Sequence, residues 1–449
     1  LKVKQYDSLQ RSTSNTIADK AWMKNVLHVA GANDYNIGVQ LDGFLSKYKT
    51  IIEDSIFGGR AKNYDKIDDP SGYSASVRDF RSTYESGASL VTYFGHSSAT
   101  NLDFSLECLR ALAASADSTP FEVIVVDDAS TDATREVLQA VPGVTFFRNP
   151  ANAGFIRSCN AGARLARGRY LVLLNNDTVV QPGWLDELLA TFQQHPDTGL
   201  VGSRLLYPDA TLQEAGCVIF SDGRAGNYGR MDAALDPRYS CVRDADYCSG
   251  AAVAVPLALF RELGGFDERY CPAYYEDADL AMRVRQSGHA VRYQPHSWVV
   301  HMEGLTSGLS EEHGTKAYQR INRTKFALKW AKDLEGYPAW GVRQDRAVAR
   351  GPRRLIVAGV PDQCVLIEIE GMLRMPDGRV DVSLFIERGE FDADTTRRLQ
   401  SEGVEVWQGF WSRFPLGWVR RYGWRFGDVH IVGSGRAVRW RRWFGRHAP

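Results

Sequence analysis

The sequence has no apolar run of membrane-spanning length, no excess of charge of either sign and no cysteine framework. Its 449 residues hold 54 Lys and Arg against 54 Asp and Glu, so nothing global directs the chain to nucleic acid. Seven cysteines, an odd number without paired spacing, argue against a disulfide scaffold or a zinc site and fit a reducing compartment. No hydrophobic stretch is long enough to span a bilayer, and the opening Leu1-Lys-Val-Lys-Gln-Tyr-Asp7 shows no secretory pattern and no initiator Met. The expected location is therefore the cytoplasm, in a chain long enough for two or three domains.

What is present is α/β alternation. Tyr170-Leu-Val-Leu-Leu174 is continuously apolar, as for a strand covered on both faces, and it ends in Asn175, Asn176 and Asp177. Open α/β sheets bind ligands at the carboxyl ends of their strands. Asp177 there is either a carboxylate for a hard divalent cation or an ordinary turn residue. Phe121-Glu-Val-Ile-Val-Val-Asp127 is a second buried strand, whose Asp127 and Asp128 either meet a base or ribose or cap the helix Thr131 to Ala140. Asn152 to Gly162 opens another helix, with Arg157 and Asn160 on one face near its start, where a diphosphate is favoured.

Residues 20–104 contain Trp22-Met-Lys-Asn-Val-Leu-His-Val-Ala-Gly31, Ile51 to Gly59 and Tyr93-Phe-Gly-His-Ser-Ser98, and resemble part of a gingipain-type cysteine peptidase. The resemblance would make His96 the catalytic histidine. No cysteine follows in a context suited to a thiolate nucleophile, because Cys108 lies inside an amphipathic helix.

Beyond Ser105 the motifs change. Val125-Val-Asp-Asp-Ala-Ser-Thr-Asp132, Asn152-Ala-Gly-Phe155, Asn160-Ala-Gly162, Leu174-Asn-Asn-Asp-Thr178, Gly264-Gly-Phe-Asp267 and Glu276-Asp-Ala-Asp-Leu280 occur in the order of family 2 glycosyltransferases with the GT-A fold. The resemblance is to the rhamnosyltransferase-type subgroup and covers residues 105–335. It implies a Rossmann-like, mostly parallel sheet with helices on both faces. It also implies that Asp127, Asp128, Arg157 and Asn160 bind the nucleotide, that Asp177 and His301 hold Mg²⁺ or Mn²⁺, and that Asp277 is the catalytic base. Leu212 to Gly216, with Gln213 and Glu214, and Tyr247 to Ala254 fall on the acceptor side together with Glu276. Asp277 at a helix start is expected to favour its ionised form, with Asp279 and Arg283 paired at i,i+4.

The family's opening strand has no counterpart before Ser105. Ser89-Leu-Val-Thr-Tyr-Phe94 stands in its place in order and would act as a surrogate central strand, so the junction near Phe104 reads as a fusion. Residues 336–352 read as a linker, and residues 353–449 as a partial α/β unit resembling the amino-terminal half of a GT-B glycosyltransferase. The basic and aromatic ending, Arg436 to Arg446, is either a solvated helix face or a peripheral contact with the inner face of the membrane.

The expected function is inverting, metal-assisted transfer of a sugar from a nucleotide-sugar donor to a glycan or lipid-linked acceptor, in surface polysaccharide synthesis. The alternatives are a cysteine peptidase fragment using His96, and a catalytically inactive fusion or scaffold chain.

Overall fold

The computed structural model describes residues 25–31, 60–65, 90–95, 100–115, 117–302, 317–342, 344, 353–374, 381–408 and 426–432. His96, the expected helix from Gly38 and the basic ending lie outside them. The chain divides into two compact units, Leu1–Asn101 and Leu102–Pro449. In the first, β1 (Asn25–Gly31), β2 (Arg60–Asp65) and β3 (Leu90–Gly95) form a parallel sheet of order β2-β1-β3. The expected surrogate strand is therefore an edge strand of this sheet, in register with β1 from Val26↔Leu90 to Gly31↔Gly95.

The second unit opens with α1 (Thr100–Ala114), β4 (Val123–Asp127), α2 (Thr134–Gln139), β5 (Val144–Arg148) and α3 (Phe155–Leu165). Next come β6 (Tyr170–Leu174), β7 (Thr178–Val180), α4 (Trp184–Gln194), β8 (Thr198–Leu206) and β9 (Leu212–Glu214). The short strands β10 (Cys217–Ile219), β11 (Ala225–Asn227) and β12 (Arg243–Asp244) precede β13 (Ala252–Pro256) and α5 (Leu257–Glu262). The body closes with α6 (Glu276–Gln286), β14 (Ala290–His301), α7 (Ala317–Lys329) and α8 (Ala331–Leu334).

The central sheet has seven strands in the order β12-β14-β8-β13-β6, with β7 on β14 and β9 on β8. β8 and β14 are parallel, and β13 runs opposite to both β6 and β8. Thus β6, β8 and β14 point one way, in a mixed α/β arrangement. β4 and β5 form a separate parallel pair. Among the described residues β4 and β6 are thus both edge strands, and the expected surrogate central strand, β3, pairs with β1 instead. Val123 to Val126 are only partly buried.

Helices cover both faces because their apolar positions recur at helical spacing. On one face, Leu188 and Phe192 of α4 pack against Val201 and Ala254, while Trp184 and Leu185 join Val180, Leu205 and Val299. On the other, Ile156 of α3 and Leu280, Ala281 and Val284 of α6 share a core with Leu171, Leu173 and Val253. Ile124 of β4 packs against that same core, so β4 and β6 serve one layer of helices. All nine residues of β8 are buried. Gly202 there is a close approach, since a Cβ on it would stand 2.2 Å from Cys248 Cβ.

Four further parallel strands, β15 (Arg353–Ala358), β16 (Val382–Ile386), β17 (Glu405–Trp407) and β18 (Phe426–Val432), take the order β17-β16-β15-β18. With α9 (Gln363–Leu373) and α10 (Ala393–Ser401) they enclose a separate core around Ile356, Ile369 and Leu384. This sheet docks on the preceding body: Val242 N donates to Gln400 O at 2.8 Å, and His195 Nε2 lies 3.0 Å from Ser401 O.

Candidate active site

The sheet register assembles the site. Antiparallel pairing sets His301, the last residue of β14, opposite Thr178 of β7, so its ring reaches the residue before that strand, with His301 Nε2 3.3 Å from Asp177 Oδ1. The turn itself is fixed by Asn175 N donating to Ala251 O at 2.9 Å and Met302 N donating to Asp177 O at 3.0 Å. Asp177 is 2% exposed. β9 lies on β8, itself the neighbour of β14, which places Gln213 Oε1 2.9 Å from His301 Nδ1.

Glu214, the next residue, turns into the same region. Its Oε1 accepts from Ser249 N at 2.9 Å, and the following amide, Gly250 N, donates to Asp277 Oδ2 at 3.2 Å. Two consecutive amides thus hold two carboxylates. Ser249 and Gly250 fall in the stretch expected on the acceptor side, but the hold of their amides on two carboxylates shows only in the fold. Burial raises Glu214 to about 7, against the hydrogen bond from Ser249. Burial likewise raises Asp277, and it raises Glu276 well above the carboxylate range with the Asp277 charge adding to it. The helix start does not dominate at Asp277, contrary to expectation, because desolvation outweighs the amides of Ala278 and Gly250. Asp277 keeps part of its surface open, whereas Glu276 is buried.

Asp128 joins the same wall. Its carboxylate accepts from Ala153 N and Gly154 N, both at 2.8 Å, and from Asn149 Nδ2 at 2.7 Å. These bonds set the entry to α3, whose first ring, Phe155, stands 3.8 Å from where a Cβ on Gly250 would lie, as does Asp277 Cβ. Asp277, Glu214, His301 and Asp177 are thus linked through the Ser249 and Gly250 amides and Gln213, with Asp128 anchoring the loop that carries Phe155 up to Gly250.

Other expected ligands meet protein partners. Asp127 is 3% exposed and ion-paired with Arg148; burial works upward on it, but Ser130 and Arg148 hold its carboxyl below the usual value. Asn160 brackets Phe266, donating to its carbonyl and accepting from its N–H, both at 2.9 Å. Arg157 is exposed and paired with Glu268 at 2.9 Å. Asp279 is fully buried between Arg283 at 2.7 Å, as expected, and Lys329 at 2.7 Å, with Trp330 Nε1 donating at 2.9 Å. Cys108 is buried with its thiol pushed up by desolvation, which disfavours the thiolate a peptidase needs.

One positioning residue had no signal in the sequence. Tyr274 and Tyr275, just before Glu276, both take left-handed backbone conformations (φ 75° and 73°), which cost an L residue about 1–2 kcal/mol each. Buried Asn322 of α7 holds this loop, donating through Nδ2 to the carbonyls of Tyr270, Ala273 and Tyr274 at 2.6, 2.9 and 3.1 Å.

Residues 99–233 match the model of glycosyl transferase family 2, and residues 1–135 that of peptidase family C25. The two matches overlap over residues 99–135, so the chain is similar to a family 2 glycosyltransferase model in its middle and to a C25 peptidase model towards its start. An uncharacterized protein of Sinorhizobium fredii is 31% identical over 230 residues, 49% of this chain and 25% of that protein. The O-antigen biosynthesis protein RfbC of Myxococcus xanthus is 35% identical over 153 residues, 33% of this chain and 12% of its own length. An N-acetylglucosaminyl-diphospho-decaprenol L-rhamnosyltransferase of Mycobacterium tuberculosis is 27% identical over 230 residues, 45% of this chain and 73% of that enzyme. The chain thus spans a quarter or less of the first two relatives. Among solved structures, GalNAc-T7 with UDP, GalNAc and Mn²⁺ aligns at a TM-score of 0.40 and 18% identity, covering 51% of this chain and 46% of that one.

Proposed function

We propose that residues 105–335 are the catalytic domain of a glycosyltransferase that moves a sugar from a nucleotide-sugar donor to a glycan or lipid-linked acceptor, with inversion, in surface polysaccharide synthesis on the cytoplasmic side. In this division residues 1–104 are a peptidase-like fragment, 336–352 a linker and 353–449 a partial GT-B-like unit without activity of its own. The observation that carries the reading is the unbroken line of contacts from Asp177 through His301, Gln213, Glu214 and the Ser249 and Gly250 amides to Asp277. The relatives that include a named rhamnosyltransferase and an O-antigen biosynthesis protein support the substrate class. Among the described residues no helix is long and apolar enough to cross a membrane.

The chemistry follows from the two ends of that line. At one end Asp277, raised by burial yet partly open, accepts the proton of the acceptor hydroxyl as that oxygen attacks the anomeric carbon. The new carbon–oxygen bond forms on the face opposite the departing nucleoside diphosphate, and the bond to the diphosphate oxygen breaks with its electron pair leaving on that oxygen. At the other end, Asp177 and His301 offer a carboxylate and an imidazole 3.3 Å apart. Such a pair would hold a divalent cation only together with phosphate and water oxygens, since no group of three or more His, Cys, Asp or Glu converges among the described residues. When bound, Mg²⁺ or Mn²⁺ would neutralise charge growing on the diphosphate. Asp128 shapes the loop at the nucleotide end, with Arg157 exposed nearby.

Donor-consumption assays over nucleotide sugars with Mn²⁺ and a lipid-linked acceptor test the reading. Turnover that is lost in Asp277→Asn supports it; equal turnover in that variant refutes the base. A second reading, a chain that scaffolds without turnover, is favoured by β4 pairing only β5 and β6 only β13 among the described residues. Calorimetry separates the two, since a silent scaffold takes up no nucleoside diphosphate with Mn²⁺. The peptidase alternative rests on His96, outside the described residues, and Cys108 offers it no nucleophile.

A further inference from the structure

We propose that Gln213 is a positioning residue for the proposed cation pair: its side-chain oxygen holds the His301 imidazole with the proton on Nδ1, leaving the Nε2 lone pair directed at Asp177. This rests on the metal reading above and replaces the acceptor-side role expected for Gln213.

A neutral imidazole has one N–H and one lone pair, and an amide oxygen can only accept. Gln213 Oε1 lies 2.9 Å from His301 Nδ1, so Nδ1 is the donor and Nε2 bears the lone pair. Nε2 then faces Asp177 Oδ1 across 3.3 Å. A proton shared between imidazole and carboxylate would draw these atoms to about 2.7–2.9 Å. At 3.3 Å the two atoms stand just beyond that range, placed so that both could serve the proposed cation. Gln213 is 1% exposed, so bulk water does not replace its oxygen. Its strand is pinned as well: Asn227 Nδ2 donates to the Gln213 carbonyl at 3.3 Å, and Glu214 is tied to Ser249 N. Metal-bound histidines commonly give their other N–H to such a partner, which fixes tautomer and ring orientation. The competing arrangement, a turned amide whose NH₂ faces Nδ1, would put the proton on Nε2 and make Asp177 a plain hydrogen-bond acceptor.

Two-bond ¹H–¹⁵N correlation spectra of histidine-labelled, chelator-treated full-length protein at pH 8, with His301 assigned by His301→Ala, read the tautomer directly. Mn²⁺ titration followed by electron paramagnetic resonance reads affinity. The expected result is an unprotonated Nε2 in the wild type and in Gln213→Glu, which keeps an acceptor oxygen. Gln213→Leu should give a mixed or reversed tautomer and a Mn²⁺ dissociation constant raised about tenfold or more. A protonated Nε2 in the wild type overturns the proposal, as does a Gln213→Leu variant with wild-type tautomer and affinity. If Gln213→Leu does not fold, the wild-type spectrum and the Gln213→Glu pair decide. Wild-type protein that binds no Mn²⁺ sinks the metal reading and with it the purpose assigned to Gln213, while the metal-free spectrum still shows whether Gln213 sets the tautomer.

Discussion

Gly250 donates its backbone N–H to Asp277 Oδ2 at 3.2 Å, while Ala278 N donates to Oδ1 at 2.8 Å. Both oxygens are therefore oriented by backbone. Removing the charge without moving the side chain isolates its chemical role, and Asp277→Asn should lower kcat by about 10²–10⁴-fold with nucleotide affinity unchanged by calorimetry. Because burial raises Asp277, its basic form fills at a higher pH than that of an ordinary aspartate. The acid limb of kcat/KM should rise with pH there and vanish in the Asn variant.

Asn322 ties α7 to the loop that delivers Asp277. Asn322→Ala leaves three carbonyls without their shared donor beside two left-handed tyrosines. Losing a buried hydrogen-bond donor costs about 1–3 kcal/mol, so a loss of that order in urea unfolding is expected. Turnover should fall more than Mn²⁺ affinity, since the Asp177 and His301 pair is held by other strands. Equal losses in both would mean that the variant disturbs the whole body.

Strands built of one kind of residue were legible. Tyr170 to Leu174 lies where its apolar run places it, and Val123–Asp127 falls inside the expected strand. α6 begins one residue before the expected Asp277. β8 gave no signal, although it is buried throughout, because Gly199, Gly202, Ser203 and Arg204 interrupt its hydrophobic pattern. Arg204 is tolerated inside because Tyr293 accepts from its Nε at 2.8 Å and its guanidinium lies over the Trp298 ring, partners 89 and 94 positions away that no local window contains. The site divides likewise. Carboxylates at strand ends were visible as motifs and the stretch holding Ser249 and Gly250 read as acceptor side, but the grip of those two amides on carboxylates, and the part played by Asn322, appear only in the fold. Asp127 and Asn160 matched motif positions, yet their polar atoms meet Arg148, Ser130 and Phe266.

Gly154 should resist any side chain. It sits at φ +84°, and a Cβ there would stand 2.6 Å from Pro272 Cβ. Both the left-handed backbone and the collision count against Gly154→Ala, which should cost about 2 kcal/mol or more. The same change should loosen the loop whose amides bind Asp128. Thermal unfolding and nucleoside diphosphate affinity should both fall; an unaltered affinity would detach Asp128 from the nucleotide end.

Glu214 links stability to pH in metal-free protein. Its carboxyl is raised from 4.5 to about 7 by burial. A raised folded value means that its contribution is fully present below about 4.5 and is lost as pH rises through about 7. The shift corresponds to about 3 kcal/mol. Glu214→Gln keeps the shape without the proton equilibrium. The stability difference between wild type and variant, measured by urea unfolding from pH 5 to pH 8.5, should swing toward the variant by up to that amount. A flat difference would mean that Glu214 titrates normally.

The strongest demand on the fold comes from β4 and β6. β13 is paired on both sides, to β6 and β8, whereas β4 pairs only β5 and β6 only β13 among the described residues. An edge strand leaves alternate amides without a ladder partner, and such amides exchange by small openings rather than by global unfolding. In hydrogen-exchange mass spectrometry, peptides covering Val123–Asp127 should label well before those covering Ala252–Pro256, with Tyr170–Leu174 between them. Nucleoside diphosphate should slow β4 most, because the entry to α3 is hung on Asp128, the residue after β4. Equal protection of β4 and β13 without ligand would show that something covers that edge in solution, and would remove the one observation that favours a silent scaffold.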